Sequence, residues 1–137
     1  MSDASQFAVC VETIEKTYEY MLAYAAQGRD KEGVGGDGPS IRGFLTDMSD
    51  ALASLDSAVR AEIERSPIAD KMALSAYATV IQQDAARAKA ALDLVLATPV
   101  ITSLLIDNLN ATIHVRALLT SLFVVDEALQ IGRREGV

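Results

Sequence analysis

The sequence predicts an all-α fold: an antiparallel up-down-up-down four-helix bundle assembling as a helical dimer. Three observations carry this. Half of the 137 residues are hydrophobic but only 5% are aromatic, so the apolar mass is Ala, Leu, Val and Ile. With only three Pro, that composition favours helices. Apolar residues recur at spacings of three and four through four long segments, and no period-two run of useful length occurs. Two of the junctions between segments are too short for a crossover, which makes the helices they join antiparallel neighbours. A chain of this length is one ordinary domain, able to bury a core without disulfides or a structural metal.

The first helix is expected over about 4–27, with Phe7, Cys10, Val11, Ile14, Tyr18, Met21, Leu22 and Ala25 on its core face. Gly28 stands where a left-handed glycine stops a helix. The Gly-rich stretch 28–39 then reads as a flexible loop; its GVGGDG run has no strand before it and no Lys after it, so it is not a phosphate cradle. The second helix is expected over about 40–65. Ile41, Leu45, Met48, Leu52, Leu55, Val59 and Ile63 form a heptad-like seam, and Asp50, Ser57, Arg60 and Glu64 lie on the opposite, solvated face. Ser66-Pro67 is a capping residue followed by Pro at the first helical position, which predicts a third helix over about 67–97. Its core face holds Leu74, Tyr77, Val80, Ile81, Ala85, Ala88, Leu92 and Val95. Thr98-Pro99 repeats the start signal for a fourth helix over about 99–131.

The fourth segment is the unusual one. From Val100 to Val125 it reads VITSLLIDNLNATIHVRALLTSLFVV, apolar around most of its circumference. A helix apolar on most sides must be buried on most sides. One small bundle core does not hide that much, so a partner is expected, most simply a second copy of the chain. Ile106, Leu109, Ile113 and Val124 are the expected interface residues, with Tyr20 and Tyr24 on the flank of the first helix. Tyrosines at the edge of a core suit a contact surface, since one end is apolar and the other tolerates water.

Charge and cysteine content exclude several classes. A net charge of −7 repels phosphate backbones, so no nucleic-acid partner is expected. A single cysteine, Cys10, excludes an intrachain disulfide and a Cys-based zinc site, and suits a reducing cytoplasm. MSDASQF carries no basic stretch of a signal peptide. Asp107, Asn108, Asn110, His114 and Arg116 interrupt the fourth segment too often for a membrane span.

The remaining polar residues offer one candidate site. Asp84 falls on the core face of the third helix and needs a partner, for which Arg116 is the candidate. Asn110 and His114 share a narrow polar sector with Ser103, Asp107 and Ser121. His114 raises phosphotransfer as an alternative. However, phosphotransfer domains follow the phosphorylated histidine with Leu, a basic residue and Gly, whereas in His114-Val115-Arg116-Ala117-Leu118 the basic residue comes one step early and no Gly follows. Glu12, Glu15 and Glu19 line one side of the first helix with Lys16 in pairing reach of Glu12 and Glu19. With one His in the chain they do not make a carboxylate di-metal site. No nucleophile–base arrangement is legible, and no cofactor is expected. The sequence therefore predicts a non-enzymatic cytoplasmic interaction protein acting through an apolar helix surface, with a phosphotransfer or ligand-sensing module at His114 or near Asp84 and Arg116 as the alternative.

Overall fold

A computed structural model describes residues 5–33 and 40–135. Half of the predicted loop 28–39, residues 34–39, lies outside the described residues. The fold is all-α: five helices packed against one another, with no strand among the described residues. They are α1 (Gln6–Ala25), α2 (Ile41–Glu64), α3 (Lys71–Leu96), α4 (Ser103–Ala111) and α5 (His114–Arg134). The predicted fourth helix is thus two.

Four of the five helix starts have a side-chain cap, and α5 begins after Ile113 without one. The hydroxyl of Ser5 accepts from the Ala8 amide at 3.1 Å and that of Ser40 from the Gly43 amide at 2.9 Å. α1 ends before Gly28, which takes the expected left-handed conformation at φ 65°. All seven residues of the α2 seam are buried.

The third helix starts four residues later than Ser66-Pro67 predicts. Ser66 is buried, and its hydroxyl accepts from the Ile68 amide at 3.1 Å, closing a local turn instead of a helix. Asp70 is the actual cap, accepting from the Ala73 amide at 3.0 Å. Lys71 reaches back to the Ile63 and Ser66 carbonyls at 3.1 and 2.6 Å, which serves the open C-terminal end of α2. The turn lies over α5 at Gly132, where an added Cβ would stand 2.8 Å from Ile68 Cγ1. Likewise Thr102, not Thr98, caps α4, accepting from the Leu105 amide at 3.0 Å.

The break between α4 and α5 has a clear cause. In a continuous helix the Leu109 carbonyl would accept from the Ile113 amide. Here it accepts from Thr112 twice, from the amide at 3.2 Å and from the hydroxyl at 2.6 Å. The Ile113 amide turns to the Asn110 carbonyl at 3.1 Å, and Ile113 falls into the left-handed region at φ 58°. That conformation is strained for a β-branched residue. α5 leaves at 50° to α4.

α1 packs on α2 and α4, α2 on α3, and α3 on α5; α1 and α5 meet more sparsely. The core runs through the middle, with Ile14, Met21, Leu45, Leu55, Ile81, Leu92, Ile106 and Leu118 fully enclosed. Cys10 is in it too, and burial pushes its thiol pKa up. On α3, Tyr77 is half-buried and Val80 is exposed, so the core face there is narrower than predicted. Among the described residues no single helix is long and apolar enough to cross a membrane; α4 and α5 meet both conditions only as a pair, across their bend.

The Ile68–Gly132 contact predicts an inverted substitution effect. Gly→Ala inside a helix ordinarily gains about 1 kcal/mol. Gly132→Ala should instead lose about 1–3 kcal/mol through overpacking, read as a lower urea midpoint, and Ile68→Ala in the same chain should recover part of it. A stabilised Gly132→Ala would mean that the turn does not rest on α5.

Candidate functional site

The expected interface residues part company. Tyr24, Ile106 and Leu109 are 1%, 0% and 5% exposed, inside the monomer's own core. Their assignment to an interface is corrected: the bend turns α4 onto α1, so its apolar face is already covered. The Tyr24 hydroxyl donates to the Ile101 carbonyl at 2.6 Å, beneath the Arg29 guanidinium. Tyr20 is half-buried and stacks on the Phe44 ring at 4.3 Å between centroids. Ile113 and Val124 are the two that remain open, at 49% and 53%.

The expected polar site does not assemble. Asp84 accepts from the Ser121 hydroxyl at 3.1 Å and pairs with Arg87 at 3.6 Å. Arg116 instead faces α1, in a groove with Tyr18 and Phe123. The two are on opposite sides of α5, because Arg116 and Ser121 are five residues and about 140° apart on the wheel. Asn110 donates to the Met21 carbonyl at 3.5 Å, and its Oδ1 is buried with no partner among the described residues. His114 is the first residue of α5, half-buried at the break, not mid-helix. Ser103 has left the polar sector altogether. It is buried, donates to the Tyr24 carbonyl at 2.7 Å and accepts from the Arg29 amide at 2.8 Å.

The described part of the 28–39 stretch is tied down rather than loose. Glu32 accepts twice from Arg42, both at 2.9 Å, and from the Ile101 amide at 2.9 Å. Arg42 also donates to the Leu96 and Thr98 carbonyls at 2.9 and 3.2 Å. The guanidinium thus joins the loop after α1 to the end of α3, and it holds the Glu32 carboxyl below the usual range. Lys89 and Ser49 do the same for Asp93, bonding it at 2.7 and 2.6 Å.

Glu62 is the polar residue that the sequence reading left out. Its side chain is 6% exposed, bonded to Arg65 and, at 2.7 Å, to Arg133 near the end of α5. The signal was present. Continued strictly, the four–three alternation of α2 requires residue 62, not 63, after Val59. Lys16 forms no ion pair with Glu12 or Glu19 among the described residues. No group of three or more His, Cys, Asp or Glu in metal-binding geometry occurs among the described residues.

Among the surfaces left open by this packing, two involve α5. One is an apolar stripe on α5, formed by Ile113, Val124 and Ile131, the last 44% exposed. A spacing of seven puts Val124 and Ile131 on one side of α5, and Ile113 stands at its N-terminal end. The other is the seam between α1 and α5. No protein-family model, curated protein or solved structure gives a significant match to this chain.

The two lowered carboxyls predict a pH response. Their folded-state values lie below the ordinary 4.5 of Glu and 3.8 of Asp, so the stability they contribute is whole above those values and is lost as pH falls through the folded-state ones. A Glu32→Gln, Asp93→Asn double variant should therefore lose less stability than the parent between about pH 5 and 3, by urea unfolding monitored by circular dichroism. Parallel losses would mean that neither ion pair acts in solution.

Proposed function

We propose that the protein is a non-enzymatic helical-bundle interaction protein of the cytoplasm, acting through an exposed apolar helix surface, with the helices running up-down-up-down and a homodimer as its basic assembly. The antiparallel course of α3 and α5 is supported by two contacts. Ile68, just before α3, lies on Gly132 near the end of α5, while Asp84, further along α3, meets Ser121 earlier on α5.

The observation that carries the proposal is the apolar stripe. In the register of the Asp84–Ser121 bond, Val80, which is 41% exposed, comes beside Val124, extending the stripe of Ile113, Val124 and Ile131 onto α3. The ion pairs on this face, Glu127 with Arg134 and Asp84 with Arg87, are each internally neutralised, so a second copy meets little uncompensated charge there. Covering what remains exposed of each of these side chains contributes on the order of 1 kcal/mol. The buried Cys10 thiol is compatible with a reducing compartment.

Light scattering after size exclusion tests this. The parent chain should elute at twice its 14.6 kDa, and Val124→Asp should elute as a monomer with unchanged helicity. A parent that is monomeric at millimolar concentration, or a Val124→Asp that stays dimeric, contradicts the dimer surface.

A further inference from the structure

The seam between α1 and α5 is a groove, not a closed contact. Two cavities lie along it, about 390 and 230 Å³, and Glu15 lines both. On α1 they extend from Ser5 to Glu19 and on α5 from Arg133 to Arg116. Fourteen residues of helix correspond to about 21 Å, roughly four turns. The apolar part of the lining is Phe7, Val11 and Tyr18 from α1 and Leu119 and Phe123 from α5, with the buried Glu62 carboxylate among them. Phe123 is 46% exposed, a large aromatic face left to solvent.

The rim is acidic. Glu12, Glu15 and Glu19 stand on the α1 side and Asp126 on the α5 side, and none of them forms an ion pair among the described residues. Two cations line the groove. Arg133 shares the one buried Glu62 carboxylate with Arg65, so Arg116 and Arg133 together stand against the four rim carboxylates. This charge selects the occupant. A second copy would bring a chain of net charge −7 to an already acidic groove and be repelled. Nucleic acid and anionic lipid are repelled in the same way.

We propose that the α1–α5 groove docks a basic amphipathic helix of a partner protein. Its apolar anchors, one to each turn of its inner face, lie on Val11, Tyr18 and Phe123. Its Lys or Arg residues meet Glu12, Glu15, Glu19 and Asp126. The proposal rests on the interaction-protein reading but uses a different face from the dimer stripe, so both surfaces can be occupied together.

The test uses the full, isotope-labelled chain and a helical Lys/Leu amphipathic peptide as probe, with affinity by fluorescence anisotropy and the site by amide shifts. Binding should be saturable, with shifts confined to residues 5–19 and 116–133. Glu15→Lys and Phe123→Ser should each weaken it by about tenfold or more. Asp50→Lys makes the same charge change on the groove between α1 and α2, and should leave the affinity within about twofold. Circular dichroism confirms that the variants fold. Absence of binding overturns the proposal, and so does equal weakening by Asp50→Lys, which would mark diffuse charge attraction. Shifts centred on Val80, Val124 and Ile131 overturn the groove but leave the interaction-protein reading standing. The chain's mass by light scattering in the same sample reports on the dimer independently of the peptide.

Discussion

The competition for the Leu109 carbonyl decides the arrangement of the molecule. Once Thr112 supplies both an amide and a hydroxyl to that oxygen, the helix ladder cannot pass to Ile113. The chain turns by 50° at a strained left-handed residue. Everything after that turn faces differently from everything before it. α4 packs on α1, α5 packs chiefly on α3, and the α1–α5 wall stays partly open. The groove on that wall and the apolar stripe on the outside of α5 are both consequences of one lost backbone hydrogen bond.

Side-chain ties then hold the segments around the turn. Tyr24 and Glu32 grip the two polar groups of Ile101, and Ser103 joins the α1 end to the α4 start. At the opposite end Glu62 joins α2 to Arg133 of α5, and Ile68 sits in the space that Gly132 leaves. Buried polar groups of this kind contribute modestly when paired and cost much more when a partner is removed. They fix which helix ends meet, while the Leu, Ile and Ala interior supplies the bulk of the burial energy.

The parts of the fold that rest on unbroken periodicity were legible from sequence. The α2 seam is buried at every predicted position, and most of the α3 core face follows. Helix starts were less legible. The Ser66-Pro67 and Thr98-Pro99 signals mark connecting turns, because Ser66 and Thr98 spend their hydroxyls on local bonds and Asp70 and Thr102 cap instead. The largest miss follows from the break. On a continuous helix Ile106 lies about 120° from Leu118 and would face away from the core. The left-handed step at Ile113 resets that phase, and both are fully buried. A wheel drawn through residues 99–131 therefore assigned Ile106 and Leu109 to a partner, when the chain covers them itself. Arg116 missed Asp84 for another reason: on α5 it is Ser121, on the opposite side of the helix from Arg116, that meets Asp84. The groove was invisible for a different reason: it depends on how far α5 leans from α1, which no single helix pattern encodes.

Residue-resolved amide hydrogen exchange across 103–125 tests the break most directly. If the ladder stops at Leu109 and restarts with the Ala117 amide bonding the Ile113 carbonyl at 2.8 Å, then the His114 and Arg116 amides, which have no helical acceptor, exchange fast between two protected stretches. Protection running without interruption from Ile106 to Val125 would mean one continuous helix. It would contradict both the packing of α4 on α1 and the open groove beside α5.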